Sequence, residues 1–363
     1  MNKMGFGYLR LPKTADGAVD YALLSKMADE FIARGGRYFD TAYTYLDGES
    51  ERALRETVVK RYPREKFMIA DKIAPWKMKT AEDGPRMIGE MLERCGVEYF
   101  DVLLLHGLTQ ENYEIALKFG MFDLVRQMKK EGRAKKIGLS FHDSAEVLER
   151  ILSQQKDMEI VQLQINYADW ESVSLQAKKL YETAARYGRE IMVMEPVKGG
   201  TLAALPEDAA EYLPEGDESH ADWALRFAQG LERVSVVLSG MNTMEQMDEN
   251  MRDIRPLSDE EQACLLRAAQ AMRANTAVGC TACGYCESGC PKMIAIPQYF
   301  ALYNEYCRNP KDDWKIQPVY QEIARGRGKA SECIGCGKCE KVCPQKIAIR
   351  ENLEKTAKAL EEE

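Results

Sequence analysis

The chain has 363 residues, 45% of them hydrophobic, enough for a sizeable buried core in one large domain with a smaller companion. Lys and Arg number 50 against 58 Asp and Glu, and the net charge of −8 argues against nucleic acid or an anionic membrane as the principal partner. The opening MNKMGFGYLRLPK lacks the apolar stretch of a signal peptide, and no run approaches the ~18 apolar residues of a membrane span, so the expected compartment is the cytoplasm.

Eight short apolar runs then follow in order: GFGYLRL, RYFDTA, FMIADKI, DVLLLH, KKIGLS, IVQLQIN, EIMVME and VSVVLSG. Near-continuous apolar runs are what strands buried on both faces require, as in a parallel sheet. The segments between them read as amphipathic helices. DYALLSKMADEFIARGG, for example, sets Leu23, Leu24, Met27, Phe31 and Ile32 on one stripe and closes at Gly35 and Gly36. Eight strand–helix units over about 240 residues match a (β/α)8 TIM barrel. A doubly wound sheet is the rival, but no GxGxxG opens a helix after an early strand. PLSDEEQACLLRAAQAMRAN then predicts a helix entered through a capping box of Ser258 and Glu261. We place the domain boundary here, with a barrel over residues 1–274 and a second domain over 275–363. MIAIPQYFALYNEYCRN reads as a helix, and the closing RENLEKTAKALEEE as a charged helical tail, solvated or docked.

Nine of the 11 cysteines fall between Cys280 and Cys343. Disulfides are rare in a reducing cytoplasm, so clustered thiols point to metal. Cys280, Cys283, Cys286 and Cys290, then Cys333, Cys336, Cys339 and Cys343, repeat one spacing, C-x2-C-x2-C-x3-C-P. Zinc sites use separated C-x2-C pairs instead. The double motif is similar to bacterial-type ferredoxins over about residues 277–350, and the long insert between its halves resembles the helical variety. In two-cluster ferredoxins the fourth cysteine of each run reaches the other cluster. The resemblance therefore implies Cys280, Cys283, Cys286 and Cys343 on one [4Fe–4S] cluster, and Cys333, Cys336, Cys339 and Cys290 on a second. Cys95, Cys264 and Cys307 stand outside the pattern and are expected as buried small hydrophobes.

Four apolar runs end in polar residues, where a barrel carries its catalytic groups: Asp40 (with Tyr45 five residues on), Lys72, His106 and Ser140. Each alone has a blander reading, as a helix cap, a solvated lysine or a structural histidine. Together, at consecutive strand ends, they point to chemistry. FDTAYTY followed by GESE, then ADK, LLLH and GLS, resembles the aldo/keto reductase family over roughly residues 4–255. The resemblance implies a catalytic tetrad of Asp40, Tyr45, Lys72 and His106, a nicotinamide cofactor, NAD(P)H, and a small carbonyl or alcohol substrate. Tyrosine, with an ordinary pKa near 10, needs a nearby cation to become an acid. Lys72 is expected to be that cation, held by Asp40, with His106 polarising the substrate oxygen and Tyr45 as the proton donor.

For the cofactor, the resemblance implies Ser140 and Gln164 at the carboxamide, Glu249 and Asn250 near the adenine, and Ser239, Gly240 and Gln246 along the last strand end and the turn after it. Phe141 and Met194 depart from the family's usual Asn and aromatic. Gly240 and Gln246 replace cations that grip a 2′-phosphate, each such bond worth ~1.5–3 kcal/mol. NADH or a relaxed preference is therefore expected. Hydride carries two electrons whereas each cluster takes one, and a flavin is the usual bridge. Three readings stand: a carbonyl reductase coupled through its clusters, with an external electron-transfer protein as partner; a flavin-linked or dinucleotide-free one-electron protein; and an ordinary reductase with structural clusters. Trp76, Lys77 and Tyr113 line either a pocket or their own loops, and KGGT at Lys198–Thr201 is either a phosphate cradle or a plain turn.

Overall fold

The computed structural model describes residues 3–172, 175–216, 218–308 and 313–361. Eight strands, β1 (Met4–Gly7), β2 (Tyr38–Asp40), β3 (Met68–Ile73), β4 (Phe100–Leu108), β5 (Ala134–Phe141), β6 (Ile160–Gln164), β7 (Glu190–Met194) and β8 (Val234–Ser239), pair in parallel and in sequence order into a closed barrel. Helices fill the connections. The first, α1 (Tyr21–Ala33), starts at Asp20, whose carboxylate accepts from Leu23 N, and buries Leu24, Met27, Ala28 and Phe31. The predicted stripe is shifted by part of a turn, leaving Leu23 and Ile32 half-buried.

Residues two apart on a strand share a face. Tyr38, Ala70, Val102, Leu104, Ile160, Met192, Val236 and Leu238 pack as one apolar cluster drawn from six strands. Two residues further along lie Asp40, Lys72, His106 and Gln162. Apolar filling below and polar groups above, at the C-terminal strand ends, are thus written in the pleat. Gly138 of β5 has no room for a side chain, since a Cβ there would lie 2.2 Å from Ile160 O.

The chain divides into two compact units, one holding all eight barrel strands within residues 1–172, 176–197 and 217–259, the other 198–216 and 260–363 with the short stretch 173–175. In the second unit the cysteine motifs fold alike. Ala282 and Gly335, Gly284 and Gly337, Met293 and Lys346 all take left-handed φ, each pair at one constant offset. The short helices Tyr285–Ser288 and Lys338–Lys341 begin at Gly284 and Gly337. Their core gathers Ile294, Ile296, Tyr299, Phe300, Ile316 and Leu353. The final helix, Ile349–Leu360, buries Ile349, Leu353, Thr356 and Leu360 there, so it is docked rather than solvated. Cys95 is buried as expected, but Cys264 is half-buried and Cys307 exposed. No helix among the described residues is long and apolar enough to cross a membrane.

Candidate functional site

The barrel interior brings Asp40, Lys72, Tyr45 and His106 together. Lys72 is almost wholly buried, and its Nζ pairs with Asp40 Oδ1, donates to Thr41 O at 2.8 Å, and reaches Tyr45 Oη at 3.4 Å. Tyr45 opens a tight turn in which Leu46 (φ 50°), Asp47 (φ 52°) and Gly48 (φ 82°) are all left-handed. Left-handed backbone costs a non-glycine residue ~1–2 kcal/mol, strain of the kind kept where a side chain must be aimed. The Tyr45 ring stands edge-on to His106 at 5.5 Å between centroids and lies 4.8 Å from Lys72 Nζ.

Burial decides the charges. Desolvation pushes the Tyr45 hydroxyl well above its ordinary value, and the nearby carboxylates, Asp40 first, push the same way. In the resting site the phenol therefore keeps its proton, because the carboxylate that holds Lys72 offsets what the ammonium does to the tyrosine. Burial also lifts the Asp40 carboxyl, against the pull of Lys72. His106 goes the other way: burial first, then the charge of Lys72, drops it well below the usual histidine range, so the ring is neutral. Its Nδ1 is buried without a hydrogen-bond partner among the described residues. A neutral imidazole with an open nitrogen, a protonated phenol and an ammonium behind it make a donor set for an oxygen that gains charge.

Gln162 is a member that sequence reading missed. It is buried on β6, close enough to Asp40 to help hold that carboxyl down against burial. The alternation IVQLQ carried the signal, since two glutamines at i and i+2 in an apolar strand share one face. Trp76 sits tilted over His106, 5.1 Å between centroids, and covers Gly107, whose φ of 59° leaves room only for hydrogen beneath the indole. Tyr113 is buried, with its hydroxyl on Gln154 Oε1 at 2.5 Å, so it packs its loop.

The expected cofactor contacts fall in two groups around the strand ends. Ser140 Oγ is buried and accepts from Gly107 N at 2.7 Å. Gln164 on β6 is buried, and its Nε2 has no acceptor among the described residues. That orphaned donor at the strand end fits a carboxamide oxygen, as a nicotinamide would offer. Ser239 Oγ accepts from Asn250 Nδ2 at 3.0 Å in a buried pair. Glu249 is half-buried, whereas Gln246 is exposed, its Oε1 accepting from Asn242 N at 2.8 Å. Gly240 lies beneath the stem of Arg10, and the Arg10 guanidinium meets Glu195 at 3.8 Å.

In the second unit the eight motif cysteines separate into two sets. Cys280, Cys283, Cys286 and Cys343 line one small enclosed space. Cys290, Cys333, Cys336 and Cys339 line another. The fourth cysteine of each run has crossed to the other run's space. Four thiols around an enclosed void suit a cluster that takes them as thiolates, and the protein alone opposes that charge. Burial first, and the neighbouring Cys283 and Cys343 with it, raise Cys280 to about 11. Burial likewise raises Cys286 and Cys339. The charge of Lys198 pulls Cys280 down. Lys198–Ala203 is a tight turn through Gly199 and Gly200, grouped with the second unit, which gives KGGT a neighbour more specific than solvent.

Residues 3–268 match the model of the aldo/keto reductase family, and residues 279–349 that of the 4Fe-4S dicluster domain. No curated protein matches the chain. Among solved structures, the holo form of aldo-keto reductase AKR11C1 from Bacillus halodurans is 21% identical, with a TM-score of 0.61 over 74% of this chain and 92% of that one. An aldo/keto reductase from Klebsiella pneumoniae in complex with NADP and acetate is 19% identical, with a TM-score of 0.57 over 75% and 90%. The thermostable aldo-keto reductase Tm1743, in complex with the inhibitor epalrestat, is 21% identical, with a TM-score of 0.60 over 74% and 95%. At these identities the likeness is one of fold.

Proposed function

The chain belongs to the aldo/keto reductase family of oxidoreductases, and on that premise we propose that it interconverts a small carbonyl and its alcohol at the barrel mouth with a nicotinamide cofactor. The observation that carries this is the buried convergence of Tyr45 Oη, Lys72 Nζ and Asp40. A bound reduced nicotinamide would supply the hydride to the carbonyl carbon. The chain's own groups handle the oxygen. His106, neutral and with an open nitrogen, hydrogen-bonds the carbonyl and orients it. Tyr45 Oη gives its proton to the oxygen as that atom gains charge, and the resulting tyrosinate lies 3.4 Å from the Lys72 ammonium. Asp40 keeps Lys72 fixed, and Tyr45 recovers its proton from water. In oxidation the same phenolate takes the alcohol proton.

Ser140 and Gln164 would hold the carboxamide, and Ser239, Asn250 and Glu249 would lie toward the adenosine end. That the Klebsiella structure is a complex with NADP supports a nicotinamide over a flavin. With Gly240 and Gln246 supplying no positive charge, we assign the site little preference for the 2′-phosphate. Each set of four cysteines would hold one [4Fe–4S] cluster. Cys336 is the exposed thiol among the eight, so the cluster it serves lies nearest solvent, where a one-electron partner protein can reach it.

The test is anaerobic purification with iron and sulfide analysis, then titration with NADH and NADPH. Two four-iron clusters per chain, quenched protein fluorescence on adding nicotinamide, and similar affinities for the two cofactors are expected. Iron for one cluster or none, a yellow flavin in the extract, or no nicotinamide binding would contradict the reading.

A further inference from the structure

Asp71 stands next to Lys72 on β3 but faces the opposite side of the strand, away from the barrel interior. There it meets Glu51, from the short helix Glu49–Leu54, and Cys95, the last residue of the helix Asp83–Cys95. One carboxylate or thiol atom from each lies within 4.8 Å of the others, and all three side chains are fully buried. Nothing in the proposed reaction uses them.

Their hydrogen bonds are incomplete. Asp71 Oδ1 accepts from Lys72 N at 2.8 Å, and Asp71 Oδ2 from Cys95 Sγ at 3.7 Å. Glu51 Oε2 meets Arg94 Nη1 at 3.0 Å, but Arg94 Nη2 is spent on Glu90 at 3.0 Å. Glu51 Oε1 has no donor among the described residues. The other charges facing the pair are Lys72, committed to Asp40, and Arg52, committed to Glu49. Two carboxylates in contact, without solvent and with a share of one guanidinium, cannot both stay ionised.

We infer that Glu51 and Asp71 hold one proton between them at neutral pH, closing the open hydrogen bond and leaving Asp71 uncharged behind Lys72. Burial and their mutual repulsion raise both carboxyls, and the same two charges raise the Cys95 thiol, which remains a donor. The pair is a positioning device. It ties the backbone at Lys72, and it removes a negative charge that would otherwise hold the proton on Tyr45. This second consequence rests on Tyr45 as proton donor; the shared proton does not.

Infrared spectroscopy of the full chain at neutral pH tests it. The carbonyl stretch of a protonated carboxylic acid is expected, and Asp71→Asn, which mimics the neutral acid in shape, should abolish it. Glu51→Gln should do the same. Absence of the band in the wild type, or its survival in both variants, would overturn the inference. A metal ion retained by the three groups would overturn it too, since two carboxylates on a cation give no acid band. Should either variant fail to fold, wild-type unfolding against pH decides. A carboxyl raised in the folded state stabilises below its ordinary range near pH 4 and loses that contribution as pH rises toward its folded value, so stability should fall over that interval. Other carboxyls, raised like Asp40 or lowered like Asp29, tilt the same curve, so the wild type is compared with whichever variant folds, and a wild-type fall no steeper than the variant's would contradict the pair. In turnover, Asp71→Asn cannot regain a negative charge at alkaline pH, so Tyr45 loses its proton sooner and the alkaline limb of the kcat profile should move downward in pH, which a merely structural residue would not do. An acid band with full turnover in Tyr45→Phe would leave the proton pair standing and remove the functional reading.

Discussion

Lys72 is held from two sides, and removing it has consequences that differ with pH. Asp40 is 3% exposed and its chief compensation is the Lys72 ammonium. Breaking such a pair from one side leaves an uncompensated buried charge and costs about 3–5 kcal/mol. Lys72→Met is therefore expected to lower stability by that amount at neutral pH, read by chemical denaturation, and by less in acid, where Asp40 takes up a proton. A loss under about 1 kcal/mol at neutral pH would contradict the ion pair. At this scale the sequence displayed the groups that end apolar runs, because strand pleating puts them on the same face as the filling below. Gln162 was legible by the same rule and overlooked. Glu51, Asp71 and Cys95 were not legible, since each comes from a different element and nothing local marks their meeting. Nor could residue types alone reveal that Asp40 and burial leave Tyr45 firmly protonated beside a cation.

The repeated cysteine runs show how much an element can carry. The spacing carried a resemblance that implied two sets with exchanged fourth members, and the fold lines two spaces with those sets, each run turning through left-handed residues at matching places. The terminal helix was less determined. Its charges left a solvated or a docked tail open, and its apolar residues at helical spacing, Ile349, Leu353 and Leu360, settle it by filling the core of the second unit. Leu353 is 1% exposed. Leu353→Ala is expected to cost about 2–5 kcal/mol and to make the visible absorbance of the clusters bleach at lower temperature, while the far-ultraviolet signal of the barrel melts as before. Unchanged bleaching would show that the helix contributes nothing to holding the cluster unit.

As a whole molecule the chain joins an aldo/keto reductase barrel to a 4Fe-4S dicluster unit. The barrel was readable from eight apolar runs in order, because a parallel barrel leaves every strand buried on both faces. The grouping of Lys198–Gly216 with the cluster unit was not, since that segment follows β7 in sequence and belongs elsewhere by its contacts. The central claim concerns the barrel: that Tyr45 delivers the proton in a nicotinamide-dependent reduction. Tyr45→Phe removes one oxygen and leaves Lys72, Asp40 and all eight cysteines in place. Its steady-state turnover of a panel of small aldehydes and ketones, measured beside the wild type at equal cluster content, is the most direct test. General acid catalysis is worth about 10²–10⁴-fold, so kcat should fall by that factor with nicotinamide binding unaltered. Turnover equal to the wild type would contradict the account.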